Sequence, residues 1–253
     1  MRAEKTMETG TETKNSATGQ FSTASCWSCG EMRAAHYCKA CGRVQPPSRV
    51  DYFAFFGLPR KLNINVALLE REFYQLSRKL HPDLNAQADR REQEWSLEQS
   101  SQLNDAYRTL KDPIKRTEYL LRLAGVELEE QSKNATEQAR AAGELKKQVV
   151  PPDLLEEVFE LNMQLEELRM NKKVGENDPS LAKELEAHKG ELETKFEALS
   201  QELKLYWDEW DRVDGGNANE ELRRRVRNKM VDLLNRRSYI RNLVTDVNQA
   251  LES

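Results

Sequence analysis

The chain has 253 residues, of which 38% are hydrophobic and 32% charged, with 39 Lys and Arg against 43 Asp and Glu. Globular chains average about 45–50% apolar and about 25% charged, so the mixed-sign excess points to long, solvated, charge-laced helices. A net charge of −4 argues against nucleic acid as a main partner, 11 Gly and 8 Pro are too few for a turn-rich all-β protein, and no apolar run approaches the ~18 residues a membrane helix needs. The first residues lack the apolar core of a secretory signal. Glu4, Glu8 and Glu12 interrupt what an acid-poor mitochondrial presequence would require. A bacterial cytoplasm is therefore the first expectation and a mitochondrial matrix the second.

Residues 1–24 are rich in Ser, Thr, Glu and Gly, hold one aromatic (Phe21), and predict a disordered tail. All four cysteines fall within 26–42, inside a module expected over 25–47, and Pro46-Pro47 makes a stiff joint after them. A short helix over about 51–57 offers Tyr52, Phe53 and Phe56, and Leu58-Pro59 ends it. Leu69, Phe73, Leu76 and Leu80 are spaced 4, 3 and 4, which places them on one face of a helix over about 65–80. Pro82 stops that helix. A third helix over about 93–110 turns Gln99, Leu103, Ala106, Tyr107 and Leu110 inward. A fourth, over about 113–124, ends at Gly125. A polar link over 126–152 closes on Pro151-Pro152.

Three long amphipathic patterns follow. The first covers about 153–172, with Asp153 as N-cap. The second starts at Asp178-Pro179 and runs to about 213, with a stripe from Leu181 and Leu185 to Leu203, Tyr206 and Trp210. Gly215-Gly216-Asn217 turns the chain into the third, over about 220–251, whose stripe includes Val226, Met230, Leu233, Ile240 and Val247. Helices with such stripes and short turns bury them on one another. The fold class expected is all-α: a knuckle at the N-terminus, a helical hairpin over 50–125 and a three-helix bundle over 153–253.

His81-Pro82-Asp83 sits between two of these helices, and Pro82 projects the imidazole and carboxylate outward. The preceding helix carries Arg71, Arg78 and Lys79 on its outer side, a stripe that would attract an acidic groove. With Leu103-Asn104-Asp105-Ala106-Tyr107 on the next helix, the arrangement resembles a J-domain. The resemblance implies that His81, Pro82, Asp83, Arg71, Arg78 and Lys79 meet the ATPase domain of a DnaK-type chaperone and couple docking to ATP hydrolysis. None of the three histidines sits in a nucleophile-and-base arrangement, so no enzyme is expected.

Asp51-Tyr52-Phe53, Phe56-Gly57-Leu58-Pro59, and the run Pro113, Arg116, Glu118-Tyr119-Leu120-Leu121, Leu123 and Gly125 resemble the HscB group more than general J-proteins. That group brings an iron–sulfur cluster scaffold protein (IscU type) to a DnaK-type chaperone, which drives cluster transfer. The helical wheel adds a binding face. At about 100° per residue, Leu154, Val158, Leu161, Leu165 and Leu168 share one side, whereas Leu155 and Phe159 lie well round from it. Tyr239 is likewise off the stripe of the last helix. Apolar residues off the core stripe suggest an exposed patch for a partner, and in the HscB group the positions matching Leu155, Phe159 and Tyr239 contact the scaffold. The alternatives are a core wider than the stripe or packing on the J-domain. The rival functional reading is a J-protein with a different client, bound through the cysteine module and the bundle.

Cys26-x-x-Cys29-Gly30 and Cys38-x-x-Cys41-Gly42 are two knuckles separated by eight residues. Four thiolates suit tetrahedral Zn²⁺, and a segment this short needs the ion for its folding energy. Disulfides, a single iron or Fe–S centre, and redox thiols are the alternatives; a reducing compartment disfavours the first. Some HscB relatives carry a similar tetracysteine module before the Asp-Tyr-Phe stretch, and Cys26-Trp27 and Gln45-Pro46-Pro47 add to the likeness. His36 is available as a substitute ligand that four cysteines do not need, and His188 is read as a packed histidine. The partners expected are thus the chaperone and the scaffold, with neither nucleic acid nor membrane, and structural zinc as cofactor.

Overall fold

The computed structural model describes residues 25–32, 35–126, 150–176, 178–213 and 220–252. The expected tail over 1–24 and most of the expected link over 126–152 lie outside them. Seven α-helices make up the described residues: α1 Tyr52–Phe55, α2 Val66–Leu80, α3 Arg90–Lys111, α4 Pro113–Leu123, α5 Leu155–Val174, α6 Pro179–Val213 and α7 Glu220–Glu252. Among them the only β-type pairing is a single antiparallel bridge between Tyr37 and Val44. Among the described residues no helix is long and apolar enough to cross a membrane.

The chain divides into two compact units. The first holds the cysteine segment, α1, α2 and α3 to Leu110. Asp51 starts α1 by accepting the Ala54 amide at 2.9 Å and also takes Arg60 at 2.6 Å. Leu69, Leu80, Leu103, Ala106 and Leu110 are buried as their spacing predicts. Phe73 and Tyr107 stack with centroids 4.0 Å apart, and the Tyr107 hydroxyl donates to Glu70 at 3.0 Å. Helix α3 begins earlier than its apolar stripe because Asp89 accepts the Glu92 amide at 2.9 Å.

The second unit comprises Lys61–Asn65, α4 and α5 to α7. Helices α6 and α7, of 35 and 33 residues, pack along each other, and α5 is only 20 residues long. Leu161, Leu165 and Leu168 of α5 join Leu185 and Leu192 of α6 and Ile240 and Val247 of α7 in one buried cluster. This is the expected three-helix bundle. Asp178 caps α6 through the amides of Ser180 and Leu181. The expected N-cap at Asp153 is not formed. A 3-10 turn, Pro152–Leu154, precedes α5, which starts at Leu155 without a side-chain cap, and Asp153 is turned to Arg236 at 2.6 Å. Gly175 ends α5 with φ 76°, the left-handed conformation glycine adopts without a Cβ penalty.

Helix α5 is too short to cover the whole hairpin, and α4 with the 61–65 loop covers more of it. Asp112 caps α4 through Ile114 and Lys115. The guanidinium of Arg116 is buried 5.2 Å from the Trp207 ring centre and donates from Nε to the Leu62 carbonyl at 2.9 Å. Burial lowers the Arg116 pKa, against the opposing charges of Asp112 and Asp211. Asp211 accepts the amides of Leu62 at 2.7 Å and Asn63 at 2.9 Å, and the Asn63 side chain donates to Asp208 and Asp211 at 3.0 Å each. Asp211→Ala therefore removes the acceptor of two backbone amides. A loss of about 1 kcal/mol is expected, the low end for such groups because they are partly solvated. Hydrogen exchange should show faster exchange at Leu62 and Asn63 with helix content unchanged.

Candidate functional site

Helix α2 ends at Leu80 with carbonyls that have no helical partner, as every helix end does. Side chains of α3 meet them. Ser96 donates to the Leu80 carbonyl at 2.8 Å and Ser100 to the same oxygen at 2.5 Å. Asn85, in the 3-10 turn Pro82–Asn85, donates to the carbonyls of Lys79 and His81 at 3.2 and 3.0 Å and to the Ser96 hydroxyl at 3.2 Å. The tripeptide is thus fixed by its backbone while its side chains stay open. The His81 side chain is 52% and that of Asp83 88% exposed, and His81 Nδ1 accepts the Asp83 amide at 3.2 Å. Arg71, Arg78 and Lys79 are exposed on α2 as expected, and Arg71 lies 3.4 Å from Glu72. Composition gave no sign of the Asn85–Ser96–Ser100 brace. Its only sequence signal is a pair of small hydroxyls one turn apart on α3.

Helix α5 is apolar on two opposite sides. Val158, Leu161, Leu165 and Leu168 are buried, whereas Leu155, Phe159 and Met163 follow one another at four-residue spacing on the solvent side, with Phe159 67% exposed. Met170 and Val174 extend the exposed face, and Glu156, Glu160 and Glu167 border it. A surface helix ordinarily carries one apolar stripe. A second, exposed stripe is the kind of surface that partners cover in other proteins, which makes it a candidate site here.

Tyr239 does not join that face. It is 5% exposed and lies in the same buried cluster as Leu161 and Leu165, so the wider-core alternative holds at this position. Its angle from Val226 is about 140° at 100° per residue, which sets it off a stripe drawn along the whole helix. However, the second half of α7 packs against α5 as well as α6, and its buried arc widens to take in Tyr239, Leu243 and Ala250. Burial also pushes the Tyr239 phenol pKa up.

The four cysteines converge. The sulfurs of Cys26 and Cys41 are 3.7 Å apart, those of Cys29 and Cys38 likewise, and all four ligand atoms lie within 4.8 Å of one another. An ion with metal–sulfur bonds of about 2.3 Å in a tetrahedron holds its sulfurs about 3.8 Å apart, so the set fits one tetrahedral ion. The two knuckles share one construction. Gly30 and Gly42 donate to the carbonyls of Cys26 and Cys38, and Cys26 and Cys38 donate to those of Glu31 and Arg43. At Cys26 burial raises the thiol pKa, but backbone donors and neighbouring thiols bring it to about 6. At Cys29 a backbone bond from Glu31 lowers it, while burial and three neighbouring thiols push it up to about 12. Metal ligation takes the thiolate form, so a dication bound by this set would draw the protons off its sulfurs.

His36 is not turned toward the sulfurs. It is buried, with Nε2 2.8 Å from the Phe55 carbonyl and Nδ1 2.8 Å from Gln99 Oε1, and burial holds its pKa below the usual value. The module is seated on α3 by further polar contacts absent from the sequence expectations. Buried Glu92 accepts Arg43 at 2.6 Å and the Val44 amide at 2.8 Å. Gln99 donates to the Gln45 carbonyl at 2.7 Å, and Gln45 Nε2 is 3.4 Å from Cys26 Sγ. Trp27 and Trp95 meet edge to face at 5.7 Å. Glu92, Ser96, Gln99 and Leu103 repeat at helical spacing, and that spacing was the available signal for a polar buried face.

Residues 51–119 match the DnaJ domain. An Arabidopsis thaliana protein described as an iron–sulfur cluster co-chaperone protein HscB homolog is 34% identical over 145 residues, covering 57% of this chain and 52% of its own. A Mus musculus iron–sulfur cluster co-chaperone protein HscB is 37% identical over 122 residues, covering 46% of this chain and 52% of its own. The chain therefore spans about half the length of the curated relatives it matches. The crystal structure of human co-chaperone protein HscB shares the fold, with a TM-score of 0.60 and 22% identity over 89% of this chain and 98% of that one.

Removing the metal under reducing conditions should free the segment around Cys26–Cys41 and separate Trp27 from Trp95. Limited proteolysis should open new cleavage near these residues, tryptophan emission should shift, and the far-ultraviolet helix signal should persist. An unchanged cleavage pattern would mean that the ion does not hold the module.

Proposed function

We propose that this chain, a DnaJ-domain protein homologous to the HscB co-chaperones, stimulates the ATPase of a DnaK-type chaperone and delivers an iron–sulfur cluster scaffold of the IscU type to it. The observation that carries this reading is the second apolar face of α5, present in a chain that also holds an open His81-Pro82-Asp83 turn. The turn, with Arg71, Arg78 and Lys79 on α2, meets the chaperone. Leu155 and Phe159, extended by Met163, meet the scaffold, and Tyr239 supports that surface from the core beneath. Methionines beside an aromatic anchor make an adaptable contact surface. The bordering glutamates favour a scaffold surface with complementary positive charge.

The ion between Cys26, Cys29, Cys38 and Cys41 is proposed to be zinc. Four thiolates close the tetrahedron and leave no position for a substrate, so its role is structural. A single iron would occupy the same distances, and elemental analysis of the purified protein separates the two.

His81→Gln, at an exposed position, should leave the fold intact and abolish stimulation of single-turnover ATP hydrolysis. Retained stimulation would remove the chaperone reading. Leu155→Ala with Phe159→Ala should leave the chain's own stimulation intact and weaken scaffold affinity at least about tenfold, as loss of a central anchor does. The added stimulation that scaffold brings should disappear with it. Tyr239→Ala should instead destabilise the bundle by about 3 kcal/mol, the usual cost of emptying a buried aromatic site, measured by chemical denaturation.

A further inference from the structure

The cysteine module and the His-Pro-Asp turn are braced on one stretch of α3. Glu92, Trp95 and Gln99 hold the module. Ser96 and Ser100, interleaved with them, hold the end of α2, and Ser96 also takes Asn85. One contact runs straight from the module to α2. The Lys79 ammonium stands 5.8 Å from the centre of the Tyr37 ring, within the ~6 Å over which an aromatic face attracts a cation. Tyr37 is half-buried between buried His36 and buried Cys38, and its backbone pairs with Val44. The ring therefore has a fixed position that depends on the module keeping its shape. It steadies the ammonium without cancelling its charge, and Lys79 remains exposed.

We propose that the tetracysteine module forms part of the chaperone-docking face, with Tyr37 as the positioning residue that presents Lys79 to an acidic groove of the ATPase domain. This rests on the chaperone reading above. A lysine side chain has many rotamers and gives up most of them when it docks. A ring that restricts it beforehand reduces that loss. The gain is in affinity for the chaperone, while the coupling of docking to hydrolysis stays with His81 and Asp83.

The test is a titration of ATPase stimulation with the full chain, reading the half-saturating concentration and the plateau separately, with bound metal measured in every variant. Tyr37→Leu is expected to raise the half-saturating concentration about threefold at an unchanged plateau, as loss of an exposed cation–π contact does. Tyr37→Phe, which keeps the ring, is expected to match the parent. In a Lys79→Met background Tyr37→Leu is expected to add nothing. Should Tyr37→Leu release the metal, Tyr37→Met, of similar length and without a ring, takes its place in the same comparison. His81→Gln run alongside separates the two levels. If it retains stimulation, the chaperone reading itself falls. If it loses stimulation while the Tyr37 variants match the parent, or add in full to Lys79→Met, the module has no part in docking.

Discussion

The second unit is governed by a mismatch of lengths. At about 1.5 Å per residue, α6 and α7 make a hairpin about 50 Å long, and α5 spans about 30 Å of it. The hairpin is apolar beyond the reach of α5: Trp207, Trp210, Val226 and Met230 are all buried. Loop 61–65 and α4 pack there, with Leu62, Leu120 and Leu121 buried and Arg116 laid against Trp207. The indole nitrogens of Trp207 and Trp210 are buried without an acceptor among the described residues, a cost of about 1–3 kcal/mol for each such group. The large apolar area that each ring removes from water offsets it. Part of the segment that matches the DnaJ domain is therefore also structural material for the hairpin.

The same mismatch frees α5 to work as a two-sided helix. It is held by one apolar side and by polar pins near its start, Asp153 to Arg236 and Glu157 to Lys195. Because the buried side suffices for docking, the opposite side can stay apolar without being consumed by the fold. At the cysteine end the logic is different. A segment with almost no core gathers four sulfurs at a spacing that fits one ion, and a set of buried polar contacts seats it on α3, among which Glu92 satisfies a guanidinium and an amide at once. Such contacts are directional, and their partners fix the module in one pose.

What the sequence revealed and what it concealed follow from the same physics. The His81-Pro82-Asp83 turn, the cysteine knuckles and the buried side of α5 are local patterns: a helix stop, a chelate spacing and a 3.6-residue period. Those patterns placed Val158, Leu161, Leu165 and Leu168 in the core correctly. Tyr239 was misplaced because a wheel drawn along α7 assumes one neighbour, whereas its second half has two. Asp153 suited an N-cap but had a stronger partner 83 residues away in Arg236. The seat of the module was the least legible feature: Gln99 was placed on the inner face of α3, but Glu92 and His36 look like solvated residues until α3 is folded against Val44 and Gln45. Trp207 lay one position from the expected stripe and is buried beside Arg116, a contact between distant parts of the chain.

The central claim is that one chain holds both the chaperone trigger and the scaffold. Titration calorimetry of the full chain against the iron–sulfur scaffold of the same organism tests it most directly. Saturable one-to-one binding with a negative heat-capacity change, the mark of apolar surface leaving water, is the predicted result. Absence of binding, in a preparation that still accelerates ATP hydrolysis by the chaperone, would contradict it and leave α5 facing a different client.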